Sequence, residues 1–280
     1  MTGLLGASEI REIAGRLGVV PTKKLGQNFV VDANTCRRIV KSADVTDTDI
    51  ALEIGPGLGS LTLALLETAA SVVVIEIDAR LATELPLTAE RHGFNPELLT
   101  VITQDALTVN ELPMSPTVLV ANLPYNISVP VLLNFLAKFP TLRAGVVMVQ
   151  SEVADRLAAK PNTKSYGSPS VKANWWADMS LAGTVGRTIF WPIPNVDSAL
   201  VKFVRHPTPG DEALRKATFA IIEAAFAQRR KMLRGALSEL FGSSAAASEI
   251  MVRAGIDPTL RGEALELAQF IAIANAAQSA

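Results

Sequence analysis

Between residues 50 and 150, short apolar runs alternate with segments whose apolar residues recur every three or four positions. Apolar runs rich in Val and Ile are typical of strands that are buried on both faces of a sheet, whereas the longer spacing is typical of helices. The predicted strands are IALEIG, SVVVIEID, LLTVITQDA, TVLVAN and AGVVMVQ, and two predicted helices are LGSLTLALLETA and ARLATELPL. This alternation predicts an α/β fold: a doubly wound, largely parallel sheet with helices on both faces.

Pro86 and two apolar runs after residue 179 modify this alternation. Pro86 is expected to limit the helix that begins in ARLATELPL, because proline has no backbone N–H to donate within a helix. The runs SLAGTVGRTIF and SALVKFV are predicted to be later strands with an antiparallel direction.

The pattern is different at the two ends of the chain. Residues 7–17 predict a helix, and a basic loop, PTKKLGQNFVVD, separates it from a second helix that Asp32 is placed to cap. After the turn HPTPGD the remaining sequence is helical throughout. We therefore predict a first domain over residues 1–205, which opens with a helical and basic segment over residues 1–45, and a small all-helical domain over residues 206–280.

Composition narrows the class of protein. The 280 residues are 49% hydrophobic, which allows a sizeable core, and no apolar run reaches the ~20 residues of a membrane helix. The first twenty residues lack the pattern of a secretory signal. Cys36 is the only cysteine in the sequence, so neither an internal disulfide nor a cysteine metal cluster is expected. We expect a cytoplasmic protein without a metal, and nothing in the sequence requires more than a monomer.

Charge is distributed unevenly along the chain. Residues 1–41 carry a net charge of +4, residues 42–135 carry −10, and residues 136–280 carry +5. One interpretation is ordinary surface charge of mixed sign. The other is that the two basic flanks form a rim for a polyanion. The charges alone leave both interpretations open.

The segment LEIGPGLGS, over residues 52–60, lies where a nucleotide-binding turn would lie, between a strand and a helix. Glycines there let the backbone approach a ligand closely. The spacing is not GxGxxG, however: the third glycine comes one position early, and Pro56 stiffens the turn. A pyrophosphate site is therefore disfavoured, while a tight turn without a ligand stays possible.

Polar residues follow the next three predicted strands, and they favour a ligand. Glu76 ends the second strand, where a carboxylate can accept hydrogen bonds from both hydroxyls of a ribose. Asp105 ends the third strand and can accept from the amino group of an adenine, and Asn122 ends the fourth. Ligands of open α/β sheets bind at the carboxyl ends of the strands. Together with Gly55, these residues predict a site for an adenosine without a pyrophosphate, and S-adenosylmethionine fits.

The stretch VANLPYNIS, over residues 120–128, adds chemistry for an amine. The lone pair of an adenine amine is delocalised into the ring, and acceptors for its N–H groups favour the lone pair on nitrogen. The side-chain oxygen of Asn122 and the backbone carbonyls of the Leu123–Pro124 turn are such acceptors, and Tyr125 can stack on the base. Positioning would then supply most of the catalysis, on a base that has left its stack.

Six motifs in one order resemble the family of ribosomal RNA adenine dimethyltransferases. They are KKLGQNFVVD, EIGPGLG, NLPYNIS, PNTKSYGSPSV, FWPIPNVDSALV and AFAQRRKML, and they cover nearly the whole chain. The match is closest to the bacterial members that dimethylate two adjacent adenosines near the 3′ end of 16S rRNA. The resemblance implies a Rossmann-like class I methyltransferase sheet, S-adenosylmethionine as the donor, and a small ribosomal subunit as the partner.

The resemblance also implies roles for individual residues. The donor contacts would be Asn28, Val30, Gly55, Gly57, Glu76, Asp105 and Asn122. The catalytic motif would be Asn122, Leu123, Pro124 and Tyr125. Phe190 matches an aromatic residue that covers the second face of the target adenine, and its alternative is a core aromatic before a proline turn.

The basic segments would then bind RNA phosphates. The candidates are Lys23, Lys24, Arg229, Arg230, Lys231 and Arg234, of which the last four are predicted to lie on one stretch of a C-terminal helix. Four further basic residues lie around PNTKSYG: Arg156, Lys160, Lys164 and Lys172. For about half of such residues a solvated surface charge is the simpler expectation.

Four alternatives stay open at this point. The first is the related family that dimethylates an adenosine of 23S rRNA and confers antibiotic resistance, against which the long helical tail and QRRK argue. A DNA adenine methyltransferase commonly has two prolines before the tyrosine, which this chain lacks. A nicotinamide dehydrogenase is disfavoured by the GPGLG spacing. A non-catalytic ribosome assembly factor is disfavoured by the intact Asn122 and Tyr125.

Overall fold

A computed structural model of the chain describes residues 3–21 and 28–278. In chain order its helices are α1 Ala7–Arg16, α2 Ala33–Ser42, α3 Ser60–Leu66, α4 Ala79–Arg91, α5 Ser128–Lys138, α6 Ser151–Leu157, α7 Ser168–Ala173, α8 Glu212–Ala227, α9 Leu233–Ala236, α10 Ser244–Arg253 and α11 Leu267–Gln278. Its strands are β1 Phe29–Val30, β2 Ile50–Ile54, β3 Ser71–Glu76, β4 Leu99–Thr103, β5 Val118–Asn122, β6 Ala144–Gln150, β7 Ala177–Val185, β8 Phe190–Trp191 and β9 Ser198–Arg205.

The main sheet has seven strands in the order β4-β3-β2-β5-β6-β9-β7. The pairs from β4 to β6 are parallel, and β9 runs antiparallel to β6. The strand order reverses at β2, because β3 and β5 lie on its two sides. In an open α/β sheet this reversal opens a crevice at the carboxyl ends of the strands. The predicted α/β fold with a doubly wound sheet is confirmed.

A second, two-stranded sheet pairs β1 with β8 in antiparallel register, with Phe29 opposite Trp191 and Val30 opposite Phe190. This pairing was not predicted, because the run SLAGTVGRTIF was expected to be one strand. In the structure β7 ends at Val185 and a 3-10 turn over Arg187–Ile189 redirects the chain into β8.

Helix α4 does not end near Pro86 but runs through it to Arg91. Leu81 and Leu85 of this helix are buried in the core, and each such side chain contributes about 1.5–3 kcal/mol. Burial on this scale offsets the ~3 kcal/mol that a proline costs inside a helix. The prediction that Pro86 limits the helix is wrong for this reason.

The chain divides into two compact units. The first contains residues Met1–Ala154 and Ser180–Arg205, and the second contains Asp155–Met179 and His206–Ala280. The division at residue 205 that we predicted leaves residues 155–179 in the first domain, whereas the structure groups them with the C-terminal helices. Tyr166 and Val171 are the reason, since both are buried in the hydrophobic cluster of the second unit. Among the described helices, none is long and apolar enough to cross a membrane.

Candidate functional site

A cleft of about 880 Å³, including the solvent at its mouth, lies at the carboxyl ends of β2, β3, β4 and β5. The structure brings together here every residue that was predicted to contact the donor: Asn28, Val30, Gly55, Gly57, Glu76, Asp105 and Asn122 all line it. Pro124 of the predicted catalytic motif lines it as well. The strand-end residues meet because parallel strands end at one edge of the sheet.

The glycine turn between β2 and α3 forms one wall of the cleft. Gly55 and Gly57 have φ angles of +68° and +59°, a backbone conformation that residues with a Cβ adopt only with strain. A Cβ on Gly57 would also lie 2.8 Å from the ring of Phe29. The turn therefore needs glycine at residue 57 for two separate reasons, and the absence of a side chain there leaves backbone facing the cleft.

Glu76 is held at the end of β3 by two backbone hydrogen bonds. Its Oε2 accepts from the N–H of Gly57 at 3.1 Å, and its Oε1 accepts from the N–H of Asp78 at 3.0 Å. Burial raises the pKa of Glu76, and these two N–H groups oppose that rise. Because each carboxylate oxygen has a further lone pair, Glu76 keeps acceptor capacity toward the cleft.

Asp105 caps the 3-10 turn that follows β4. Its Oδ1 accepts from the N–H of Leu107 at 2.9 Å, which fixes the side chain at the cleft wall. Its second oxygen accepts no hydrogen bond from the described residues and is available to a ligand. Gln104 beside it also lines the cleft.

Asn122 is oriented by a contact with the segment before β1. Its Nδ2 donates to the backbone carbonyl of Asn28 at 3.2 Å. A carbonyl only accepts, so this contact fixes which end of the amide is nitrogen. Oδ1 of Asn122 is then buried without a hydrogen-bond partner among the described residues. A buried polar atom without a partner costs about 1–3 kcal/mol, and a hydrogen bond from an N–H group that enters the cleft would recover this free energy.

The rest of the NLPY turn is anchored on both sides. Leu123 is buried, and its N–H donates to the carbonyl of Met148 at 3.0 Å. The hydroxyl of Tyr125 lies 2.9 Å from Oγ of Ser198, which is fully buried at the start of β9. Burial raises the pKa of Tyr125 while the bond to Ser198 lowers it. Ser198 was not predicted as a site residue, although it belongs to the motif FWPIPNVDSALV.

Phe190 is placed in the core rather than at the cleft. It is 2% exposed and belongs to the main hydrophobic cluster. In the β1–β8 pairing it lies opposite Val30, which is buried in the same cluster. The structure therefore favours the core alternative over a ring that stacks on the base. Trp191, the next residue, stacks on Phe29 with a centroid distance of 6.2 Å.

Sequence reasoning missed Glu53, which lines the cleft from β2 and is 2% exposed. Oγ1 of Thr62 donates to Oε2 of Glu53 at 2.6 Å. Burial, with a smaller contribution from the charge of Glu76, raises the pKa of Glu53 to about 8. The signal was a single acid inside the apolar run IALEIG, two positions before the first glycine.

The four basic residues after α8 do not share a helix as predicted. Helix α8 ends at Ala227, and Arg234 lies in the separate short helix α9. Nε of Arg229 forms an ion pair with Glu263 at 2.7 Å. Arg230 and Lys231 are exposed and have no partner among the described residues. Lys23 and Lys24 lie outside the described residues.

The family described as "Ribosomal RNA adenine dimethylase" matches residues 21–279. A relative from Leifsonia xyli named "Ribosomal RNA small subunit methyltransferase A" is 58% identical over 275 residues, which are 97% of this chain and 98% of the relative. A relative of the same name from Streptomyces griseus is 57% identical over 274 residues, 97% of this chain and 94% of its own.

Two solved structures share the fold. A dimethyladenosine transferase from Plasmodium falciparum has a TM-score of 0.75 at 24% identity, over 88% of this chain and 95% of its own. The 23S rRNA methyltransferase ErmE has a TM-score of 0.66 at 24% identity, over 89% of this chain and 99% of its own. At these identities the two structures support the class I methyltransferase fold and no finer conclusion.

Proposed function

The chain belongs to the ribosomal RNA adenine dimethylase family, and we propose that it dimethylates the N6 amines of two adjacent adenosines near the 3′ end of 16S rRNA. The relatives named as small-subunit methyltransferases, at 54% to 58% identity over nearly the whole chain, favour this substrate over 23S rRNA. The observation that carries the chemistry is Asn122, which lines the cleft and whose Oδ1 is buried with no hydrogen-bond partner among the described residues.

S-adenosylmethionine is the donor we propose, and when bound it supplies an electrophilic methyl group on a sulfonium. The donor set of the cleft fits it. Glu76 would accept from the ribose hydroxyls and Asp105 from the adenine amino group. The remainder of the donor would be surrounded by Asn28, Val30 and the backbone of Gly55 and Gly57. Phe29 excludes a Cβ at residue 57, so the backbone there stays open to the donor.

Asn122 prepares the target amine. Its Oδ1 accepts one N–H of the adenine amine, and a backbone carbonyl of the Leu123–Pro124 turn accepts the other. Both contacts favour a lone pair localised on N6 rather than delocalised into the ring. Because the contact with Asn28 already fixes the amide, no reorganisation is needed when the base arrives.

Tyr125 holds the base against this turn. Its ring stacks on an adenine that has left its own stack, an interaction worth about 1–3 kcal/mol. The hydroxyl bond to Ser198 keeps the ring in one orientation. Methyl transfer makes the amine nitrogen positively charged and acidic, so its proton passes to water and no strong base on the protein is needed. Catalysis is then chiefly a matter of positioning.

The partner we propose is the small ribosomal subunit, which the protein meets as a monomer in the cytoplasm. Lys23, Lys24, Arg230, Lys231 and Arg234 would bind rRNA phosphates, which supply affinity with little sequence information. The target bases would be selected by the shape of the RNA and by their exposure. The helical unit over residues 206–280, joined by residues 155–179, would contribute the larger share of these contacts.

Methyl transfer from labelled S-adenosylmethionine to isolated ribosomal subunits tests this function. Small subunits from a strain that lacks the enzyme should yield labelled N6,N6-dimethyladenosine, and large subunits from the same strain serve as the matched control. Label on the large subunit alone would refute the choice of substrate.

A further inference from the structure

Three segments of the helical unit meet at Arg229. Its Nε donates to Oε2 of Glu263 at 2.7 Å, and its second guanidinium nitrogen donates to the carbonyl of Thr163 at 3.2 Å. The N–H of Asn162 also donates to the backbone carbonyl of Glu263 at 2.9 Å. We call Arg229, Glu263 and Thr163 the clasp. Since the guanidinium of Arg229 is committed to these partners inside the protein, it is not a free cation.

The clasp holds the loop over residues 160–164 in one conformation. Oγ1 of Thr163 donates to the carbonyl of Lys160 at 2.7 Å, which closes the loop on itself. At the end of the loop, the buried Tyr166 donates its hydroxyl to the carbonyl of Leu265 at 2.8 Å. Lys160 and Lys164 are exposed on this fixed loop, and neither has an ion pair among the described residues.

The other two segments present cations beside the loop. The N–H of Leu233 donates to the carbonyl of Leu260 at 2.7 Å, so the chain after Arg229 is tied to the chain before Glu263. The exposed cations without a described partner on the three segments are Lys160, Lys164, Arg230, Lys231 and Arg261. The one acid inside the clasp, Glu263, is already paired with Arg229.

We infer that Lys160 and Lys164 bind phosphates of the rRNA partner, and that Arg229 is a positioning residue that acts through the clasp instead of contacting RNA. The inference rests on the proposed function, because it takes the polyanion to be the RNA of the small subunit. Free cations that replace counterions on phosphates supply salt-dependent affinity. A loop that is already ordered binds without a further loss of conformational freedom.

Binding to small subunits from a strain that lacks the enzyme, measured over a range of salt concentrations, tests the two lysines. In the double variant Lys160→Gln with Lys164→Gln, the slope of log K against log salt should become shallower by about 2, about one for each phosphate contact. Lys216→Gln is the matched control, because Lys216 is also exposed, on α8, but already lies 3.7 Å from Glu212. An unchanged slope in the double variant would overturn the role of the loop.

Glu263→Gln tests the clasp, because two roles of Arg229 predict opposite signs. If Arg229 contacts RNA, loss of a negative charge beside it strengthens binding. If the clasp positions the loop, the same substitution weakens binding several-fold and makes the salt slope shallower. We expect weaker binding, and stronger or unchanged binding would overturn the positioning role. The melting temperature and the affinity for S-adenosylmethionine report whether the variant is folded.

The wild-type protein separates this inference from the proposed function. Its methylation of the same particles is measured in parallel. No dimethyladenosine from the wild type would refute the proposed function. Normal methylation together with unaltered binding of the variants would refute the loop inference alone.

Discussion

Asn122 donates its side-chain N–H to the backbone carbonyl of Asn28 across 3.2 Å, and its side-chain oxygen is buried without a partner in the part of the chain that the structure describes. The two residues are 94 positions apart. The contact fixes the orientation of the Asn122 amide, because the carbonyl of Asn28 accepts hydrogen bonds and cannot donate them. The amide oxygen is therefore the end of Asn122 that is left to accept a hydrogen bond.

Asn122→Ala should lower kcat by about 100-fold or more, because one preorganised hydrogen-bonding group at the reacting atom is worth on that order. The free energy of unfolding should change little, because the loss of the hydrogen bond to Asn28 is offset by the removal of a buried oxygen that has no partner among the described residues. Single-turnover methylation of small subunits measures the first quantity and urea unfolding the second.

Asn126→Ala is the control for this variant. Asn126 is an exposed amide in the same turn, so methylation by that variant should stay near the wild-type rate. Turnover by Asn122→Ala at the rate of the Asn126 control would contradict the proposed role of the amide oxygen.

Gly57→Ala should destabilise the protein and weaken donor binding. The φ angle of +59° costs a residue with a Cβ about 1–2 kcal/mol, and the clash at 2.8 Å with Phe29 adds about 1–3 kcal/mol. Gly18→Ala is matched, because Gly18 has a φ of +61° but open space around its Cβ position. Urea unfolding of both variants isolates the clash. Equal destabilisation of the Gly57→Ala and Gly18→Ala variants would show that the ring of Phe29 moves aside without a cost in free energy.

The strand-end residues of the site could be predicted because parallel strands end at one edge, whatever the details of packing. Glu76 and Asp105 needed only the local pattern of apolar runs to be placed together. The contact of Asn122 with Asn28, the burial of Phe190 and the clasp at Arg229 depend on contacts between segments that are distant in sequence. Local periodicity carries no information on such contacts.

Ser198→Ala should reduce methylation through Tyr125. Loss of the hydroxyl partner at 2.9 Å releases the ring, and a hydrogen bond of this kind is worth about 1 kcal/mol, or roughly fivefold in rate. Tyr125→Phe keeps the ring and removes the same bond from the other side. The double variant should therefore be no slower than either single variant. Additive losses in kcat would mean that Ser198 and Tyr125 act independently.

Glu53→Gln should flatten the dependence of stability on pH. The pKa of Glu53 is raised to about 8 in the folded protein, against an ordinary value of 4.5. Below pH 4.5 both states hold the proton, so Glu53 adds no pH dependence there. As the pH rises from 4.5 to 8, only the unfolded state loses the proton, and the free energy of unfolding falls until the folded pKa is passed.

The glutamine variant cannot ionise, so its advantage over the wild type should grow through this window, by an amount on the order of a few kcal/mol. Urea unfolding without donor at pH 5, pH 6.5 and pH 8, values chosen to span roughly this window, measures the difference. Thr62 can still donate to the amide oxygen of the variant, so the hydrogen bond at 2.6 Å has a counterpart. A group that is ionised in both the folded and the unfolded state adds no pH dependence to the free energy of unfolding. If the free energies of the two proteins therefore change with pH in parallel, Glu53 carries a charge in its buried position.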